Sequence, residues 1–416
     1  MSRKISIIVI FAIAITSAII IKFDIFTQLQ NLYNKSDDNV HTLKRKNGVE
    51  TKYYSNGNIR SQIPYKDGFR DGVLKNYYSN GDLKSEIQYV NGIQDGTTKT
   101  FYKGGKLEKV YTYRADKLNG EVQSYHKDGY LETIAEFKNN IQIGKEIGYY
   151  KNGNVKYTIE FNKSGQIDGK IIQYYKNNRK KSETSYVNGK IEGLEQNYFK
   201  NGNIKEVNSY INNQLDGTIM TYYDTGELYA ETNYSSGALN GVTKTYYKNK
   251  QIFEYMTFFD NLRNGKYQKF AENGNLIIEM EYKNDEPHGL MIMYHKNGNI
   301  YSQVPYINGK TNGKAEMFYK NGKRKSIANF VDGKLDGQDI GYYENGQIHY
   351  DNTYKAGLLH GKSIEYYENG NIKTERTFTN GNLDGNVIEY DKNGRRISQI
   401  AYLNNKIVDD KIHLKK

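Results

Sequence analysis

A fixed period of 24 residues constrains this chain more than any other feature. Aromatic residues open successive copies from Tyr53 to Tyr390, and every step is 24 residues except one of 25, between Tyr149 and Tyr174. Such a period is typical of repeat architectures, in which each unit packs only against its neighbours. The 416 residues therefore predict one solenoid-like domain instead of two or three globular domains.

Four columns of the repeat describe its chemistry when the opening aromatic residue is numbered position zero. Positions zero and twelve are Tyr or Phe in all fifteen copies, and positions four and nineteen are each Gly in thirteen. The first copy opens with the sequence Tyr-Tyr-Ser-Asn-Gly at residues 53–57. Asn-Gly between short runs rich in Tyr, Ile and Thr is a strong β-hairpin signal. Each copy is therefore predicted to form a hairpin.

The hairpin turn allows two registers. A two-residue loop would pair Tyr54 with Ile59, whereas a three-residue loop with Gly57 as a left-handed bulge would pair Tyr53 with Ile59. We favour the second register, because side chains alternate along a strand and it would place the apolar positions zero, six and twelve on one face. Position one and the mostly polar positions five, seven, nine and eleven would share the other face. Position fifteen, mostly Gly, Asn or Asp, is predicted to be a left-handed turn residue.

With these columns the chain resembles the MORN-repeat variant proteins of bacteria over residues of about 49–409. The shared pattern is Tyr-Tyr-x-Asn-Gly, then an aromatic residue, then Asp, Asn or His before Gly, as in His288-Gly289 and His360-Gly361. The resemblance implies an all-β fold, an elongated single-layer antiparallel sheet of tandem β-hairpin repeats. It also implies a binding or scaffolding role without catalysis. Some bacterial members are named antitoxin-like proteins, which suggests a toxin as partner.

The start of the chain predicts a membrane segment. Ile5–Ile21 is a run of 17 uncharged residues that follows the basic Met1–Lys4, and as a helix it would span about 26 Å. An uncleaved signal-anchor helix at 1–22 is favoured over a cleaved signal peptide, because apolar Ile19–Ile21 follow the best cleavage site. Either interpretation exports the repeats to the cell envelope or beyond. A linker at 23–47 and about fifteen repeats at 48–416, ending in a half-repeat, complete the predicted organisation.

Charge and composition limit the chemistry. The net charge of +12 suits an anionic partner such as a glycan or phospholipid, although a single-layer sheet also needs charged surface to stay in solution. The chain has no Cys, its seven His form no metal spacing, and it has no nucleotide-binding or hydrolase motif. We therefore predict no enzyme, no cofactor, no metal and no nucleic-acid partner.

One face of the predicted sheet is a candidate binding surface. Aromatic residues at position one interleave with basic residues at position seven, a combination that stacks on sugars and pairs with anions. Cross-strand packing with solvated lysines is the alternative explanation of the same residues. The candidate residues are Tyr54, Tyr78, Tyr102, Tyr150, Tyr175, Phe199, Tyr223, Tyr247, Tyr319, Tyr343, Tyr367, Lys84, Lys205 and Lys373.

Two functions follow from these observations. The first is a membrane-anchored scaffold for protein–protein interaction, outside the cytoplasm, with an antitoxin-like or immunity-like role. The second is a surface module that binds an anionic glycan or phospholipid through the aromatic and lysine face.

Overall fold

The computed structural model describes residues 47–409, and this part of the protein is all-β. It consists of 36 antiparallel strands and their turns, with no helix among the described residues. The predicted fold class is therefore corrected, since it placed a hydrophobic helix ahead of the sheet. That helix was inferred from hydrophobicity alone, which does not fix conformation, and its residues, Ile5–Ile21, lie outside the described range. The described residues include no helix capable of spanning a membrane.

The chain divides into two compact units, residues 1–117 and 118–416. Within each unit, antiparallel strands pair with their neighbours in sequence. Residues 47–117 contain β1 (Asn47–Tyr53), β2 (Ile59–Lys66), β3 (Phe69–Arg70), β4 (Gly72–Tyr77), β5 (Leu83–Val90), β6 (Ile93–Phe101) and β7 (Leu107–Arg114), and β8 (Lys117–Leu118) lies at the division.

The second unit repeats the same alternation of strands. Its strands are β9 (Gly120–Tyr125), β10 (Leu131–Lys138), β11 (Ile141–Tyr149), β12 (Val155–Phe161), β13 (Ile167–Tyr174), β14 (Lys180–Val187), β15 (Lys190–Tyr198), β16 (Ile204–Ile211), β17 (Gln214–Leu215), β18 (Gly217–Tyr222), β19 (Leu228–Ser235), β20 (Ala238–Tyr246), β21 (Ile252–Phe259), β22 (Leu262–Phe270), β23 (Leu276–Lys283), β24 (Glu286–Tyr294), β25 (Ile300–Ile307), β26 (Lys310–Thr311), β27 (Gly313–Phe318), β28 (Arg324–Val331), β29 (Lys334–Tyr342), β30 (Ile348–Lys355), β31 (Leu358–Tyr366), β32 (Ile372–Thr379), β33 (Asn382–Leu383), β34 (Gly385–Tyr390), β35 (Arg396–Leu403) and β36 (Lys406–Asp409).

The Asn-Gly turn adopts the predicted three-residue loop. Tyr53 pairs with Ile59, the Gly57 amide donates to the Tyr54 carbonyl at 3.0 Å, and the Tyr54 amide donates to the Asn58 carbonyl at 2.8 Å. Gly57 has φ of 84°, a left-handed conformation that costs glycine nothing because it has no Cβ. The preferred register is therefore confirmed.

The predicted face assignment is wrong, because every Asn-Gly hairpin carries a β-bulge at position seven. In the second copy, Tyr77 pairs with Leu83 and Asn76 pairs with Ser85, so Lys84 has no partner in the ladder. Ser85 and Tyr89 share a face with Asn76, and Tyr77, next to Asn76, points to the other face. Positions zero and twelve therefore lie on opposite faces of the sheet.

The most buried side chains occupy the face that contains position twelve, here called the core face. Positions eight, ten and twenty-one join position twelve on it, as shown by Ser61, Ile63 and Leu74 at 6%, 5% and 5% exposure. Tyr210 and Tyr234 at position twelve are 6% and 9% exposed. Position zero is half-buried on the opposite face, where its hydroxyl often meets position nine, as Tyr246 does with Glu231 at 2.9 Å.

The return turn between repeats is a two-residue hairpin loop. Position fifteen is left-handed as predicted, with φ of 84° at Gly92 and 69° at Asn140. Position fourteen is also left-handed, with φ of 50° at Asn91, so both central residues have the conformation of a type I′ turn. The acidic residue at position eighteen, directly before the glycine at position nineteen, binds the return turn of the following repeat. The amide of Asn91 in that turn donates to Asp71 Oδ2 at 3.1 Å.

Candidate functional site

The aromatic residues at position one connect neighbouring repeats. Nine of the eleven candidate aromatics donate their hydroxyl to the main-chain carbonyl at position zero of the next copy, over distances of 2.7 to 3.0 Å. Tyr223 and the Tyr246 carbonyl, at 2.7 Å, illustrate the bond. The nine donors are Tyr54, Tyr78, Tyr150, Tyr175, Tyr223, Tyr247, Tyr319, Tyr343 and Tyr367. Phe199 has no hydroxyl, and Tyr102 is half-buried like the nine donors.

Positions one and seven are in contact, as the sequence predicted for residues of a shared surface. Lys84 Nζ lies 5.8 Å from the centre of the Tyr78 ring, and Lys325 Nζ lies 5.9 Å from that of Tyr319. Where position seven is aromatic, the two rings meet edge to face, as in Tyr247 and Phe253 at 5.0 Å. The bulge at position seven allows this contact, because it turns the extra side chain toward the hairpin loop.

The three candidate lysines differ in their surroundings. Lys84 lies over an aromatic ring, and Lys373 Nζ donates to Glu365 Oε1 at 2.7 Å, a hydrogen bond that raises the pKa of the lysine. Lys205 is exposed and makes no ion pair among the described residues. The structure therefore separates them: Lys373 is neutralised by a carboxylate, whereas Lys205 presents its charge to solvent.

The asparagines of the turn form a second connection between repeats. Asn56 Nδ2 and Asn58 Nδ2 both donate to the Ser79 carbonyl in the next turn, at 2.9 and 2.8 Å. The same pair of bonds recurs from Asn369 and Asn371 to the Lys392 carbonyl. The Asn-Gly-Asn sequence thus closes its own turn and also bonds to the following one.

Buried carboxylates on the core face were not identified from the sequence. Glu195, 8% exposed, accepts hydrogen bonds from Asn208 Nδ2 at 3.0 Å, Tyr210 Oη at 3.3 Å and Thr184 Oγ1 at 3.2 Å. Burial raises the pKa of the nearby Glu206 carboxyl, and the charge of Glu195 raises it further. The sequence signal for Glu195 is its column, position twenty-one, where other copies have apolar residues such as Leu74 and Ile219.

A second pair of acid–tyrosine contacts follows one local pattern. Glu146 Oε1 accepts from Tyr157 Oη at 2.6 Å, and Asp339 Oδ1 accepts from Tyr350 Oη at 3.4 Å. In both places a glycine lies beneath the tyrosine ring, where a Cβ would come within 2.2 Å of it. The hydrogen bonds satisfy these carboxylates, which gives them a structural role in holding the core face together.

Basic replacements at position six are matched by acceptors. Lys180, Arg324 and Arg396 stand where other copies have an aliphatic residue. Lys180 Nζ donates to Glu183 Oε2 at 2.5 Å, and Arg324 Nη2 lies 3.1 Å from Glu316 Oε1. Hydrogen bonds from Lys170 and Lys180 lower the pKa of Glu183. These departures are therefore compensated locally and keep the strand register.

The described residues offer no set of three or more His, Asp and Glu side chains arranged to hold a metal ion. The predicted absence of cofactors and of catalysis stays a prediction. The eleven aromatic and three basic candidates line the Asn-Gly turns of successive repeats within each unit, and whether they bind a partner also stays a prediction.

The solved structures that match this chain do so at low sequence identity and low TM-score. The matched chains include TcdB2-TccC3 (10% identity, 88% of this chain, 24% of that chain, TM-score 0.16) and TcdB2-TccC3-Cdc42 (11% identity, 86% and 22%, TM-score 0.16). A Photorhabdus luminescens Tc holotoxin pore matches at 11% identity over 91% and 25%, with a TM-score of 0.14. This chain spans about a quarter of those chains, and at these TM-scores the likeness supports no inference. No curated protein matches.

A family model, by contrast, matches the repeats directly. The model described as MORN repeat variant matches eleven segments: residues 46–67, 70–91, 94–115, 142–163, 191–212, 215–236, 263–284, 287–308, 311–332, 335–356 and 359–380. Together these segments cover more than half of the chain. Two of the unmatched stretches contain Asn178 and Lys250, the two replacements of the turn glycine. The tandem hairpins and their matched segments show that the chain belongs to the MORN repeat variant family.

Proposed function

We propose that this chain is a non-enzymatic scaffold that binds another protein through the return turns of its second unit. Repeats of this family are generally binding modules without catalysis, which supports the general part of the proposal. The observation that supports the location is a row of exposed apolar side chains, at positions thirteen and sixteen. We call this row the return stripe, and its members are Ile141, Val187, Ile211, Phe259, Leu262, Ile307, Val331, Leu358 and Leu403.

The side chains of the return stripe are apolar although they are exposed to solvent. Its members are 41% to 62% exposed, although other copies have polar residues at the same two positions, such as Ser235 and Gln214. Phe259 and Leu262 are directly paired across one hairpin, at 62% and 41% exposure. Exposed apolar residues that recur on one side of a molecule mark interaction surfaces, whereas isolated ones do not.

The charges beside the return stripe indicate the chemistry of the partner. Six members face a lysine across the hairpin, as Ile307 faces Lys310 and Leu358 faces Lys355. The other four lysines are Lys138, Lys190, Lys334 and Lys406. Among described residues at these two positions of the second unit, Glu286 alone is acidic. A protein surface with apolar pockets between acidic side chains complements this arrangement.

Two finer features belong to the same proposal. Export of the repeats to the cell envelope is supported by the apolar run Ile5–Ile21 after a basic start, with secretion after cleavage as the alternative. An antitoxin-like or immunity-like role is suggested by the names of bacterial proteins with this repeat. Protease added to intact cells, with any outer layer permeabilised, should then degrade the repeats, and full protection would contradict export.

The partner proposal is tested by capture from cells. The full-length chain, tagged and cross-linked in the cells that produce it, should recover a specific protein that mass spectrometry identifies. Phe259→Ser combined with Leu262→Ser should abolish this recovery. The matched control exchanges the same two positions in the preceding copy, Ser235→Ala with Ala238→Ser, and should recover the protein normally.

Two results would contradict the proposal. One is recovery that is indifferent to Phe259 and Leu262. The other is binding of the purified chain to phosphatidylserine vesicles that disappears with the same double substitution, because the return stripe would then serve a membrane surface.

A further inference from the structure

We propose that three consecutive Asn-Gly-type turns of the second unit bind a linear anionic polysaccharide. These turns belong to the copies that open at Tyr149, Tyr174 and Tyr198, and each has lysine at both position two and position seven. The six lysines, here called the lysine patch, are Lys151, Lys156, Lys176, Lys181, Lys200 and Lys205. This site is separate from the return stripe and is independent of the protein partner.

The lysine patch is a local feature of the sequence. The copy before it pairs Lys127 with Glu132 at these two positions, and the copy after it has Asp224 and Tyr229. The copy at Phe318 also has two lysines, but the next one begins with Glu344. These three consecutive turns therefore concentrate positive charge, whereas elsewhere along the turn edge acidic residues separate the lysines.

Most of this charge is available to a ligand. All six lysines are exposed. Lys151 forms an ion pair with Asp128 at 2.6 Å, at the border of the patch. The other five take part in no ion pair within residues 47–409. Arg179, also exposed in the middle turn, adds a seventh cation, held by its bond to the Lys200 carbonyl at 3.2 Å.

The spacing of the charges selects a polymer over a small anion. Neighbouring copies are two strands apart, which separates equivalent lysines by about 10 Å. Lysines on separate hairpins do not converge on one phosphate or carboxylate. A chain with a negative charge on each unit can instead contact one turn after another along the edge.

The neighbouring groups favour a polysaccharide over a bilayer or a nucleic acid. The residues of these three turns include no large apolar side chain that is exposed, whereas membrane-surface segments combine cations with such side chains. Six of the seven cations are lysine, a hydrated point charge, and nucleic-acid recognition relies more on the planar arginine. Tyr150 and Tyr175 directly precede the position-two lysines of their turns and offer ring edges and faces to sugars. Their hydroxyls fix them to the next repeat at 2.7 and 2.8 Å.

The experiment measures binding of the full-length chain to polygalacturonate, a polysaccharide with one carboxylate per sugar. The variant Lys156→Gln, Lys181→Gln, Lys205→Gln should weaken binding about tenfold at low salt, the loss expected for three exposed charge contacts. The difference should shrink as salt is raised. The control Lys283→Gln, Lys296→Gln, Lys392→Gln removes the same net charge outside the lysine patch and should leave binding within about twofold.

Circular dichroism and the thermal midpoint verify that both variants fold, since the six substituted side chains are exposed. The inference is overturned if the wild type does not bind polygalacturonate, or if the control weakens binding as much as the patch variant. It is equally overturned if polyuridylate RNA or phosphatidylserine vesicles bind through the lysine patch more tightly than polygalacturonate.

Discussion

Replacing one core-face tyrosine should cost far more stability than replacing its counterpart on the other face. Tyr234 at position twelve is 9% exposed, and Gly217 and Leu239 pair with it on either side. A tyrosine buries about 150–250 Å², which at about 25 cal/mol per Å² corresponds to roughly 4–6 kcal/mol. Alanine keeps part of this area and the site relaxes, so we expect Tyr234→Ala to cost about 3–5 kcal/mol.

The matched substitution is Tyr222→Ala at position zero of the same copy. Tyr222 is half-buried, and its hydroxyl reaches Met220 Sδ at 3.5 Å. We expect about half the cost of Tyr234→Ala, because about half as much area returns to water. The register predicted from the sequence placed both tyrosines on one face, which would make both substitutions costly.

Urea unfolding of the full chain measures both changes in the free energy of unfolding. Hydrogen exchange then locates the destabilised region, which should be confined to the mutated copy and its neighbours because repeats interact only with adjacent repeats. Equal costs for the two variants would refute the opposite-face assignment and, with it, the role of the position-seven bulge.

Three further outcomes follow from contacts at the turns and on the core face. Tyr223→Phe should cost about 1 kcal/mol in urea unfolding, because it removes the hydrogen bond to the Tyr246 carbonyl; no change would show that this bond adds nothing. The folded-state pKa of Glu206 is raised above its ordinary value of 4.5. Its stabilising contribution is therefore complete below that pH and is lost as pH rises through the raised pKa. Unfolding measured from pH 4 to 8 should show Glu206→Gln becoming more stable than wild type as pH rises. Glu183 has a lowered pKa, so its contribution to stability is lost on acidification. Glu183→Gln should therefore lower the free energy of unfolding at pH 7 and lower it less at pH 3. A difference that stays constant with pH would exclude a role for the Lys170 and Lys180 contacts.

Local backbone chemistry was predictable from the sequence because it depends on a few neighbouring residues. The three-residue turn at Gly57 and the left-handed position fifteen follow from residue types that tolerate positive φ. Position fourteen was missed, since Ala115 and Ala356 adopt φ of 49° and 51° although alanine gives no local signal for it. The two-residue return turn imposes that conformation on whatever residue stands there.

The faces of the sheet could not be predicted because one extra residue inverts the alternation. Lys84 is an ordinary strand residue in sequence, and its place in the bulge follows only from the pairing of Asn76 with Ser85. The candidate aromatics were correctly recognised as a column. Their bond to the next repeat depends on the distance between hairpins, which no single copy encodes. The buried Glu195 was missed for the same reason, because its three donors come from two neighbouring copies.

The copy that opens at Tyr174 shows how surface chemistry can change while the hairpin is kept. Asn178 replaces the turn glycine yet keeps φ at 65°, and Tyr174 still pairs with position six although that residue is now Lys180. Glu183 accepts from Lys180, so the charge gained at position six is balanced there. The charges of Lys176 and Lys181 at positions two and seven are left unbalanced on the turn edge. Partner choice in such a repeat can therefore vary at these exposed positions, because the recurring hydrogen bonds between turns come from positions one, three, five and eighteen.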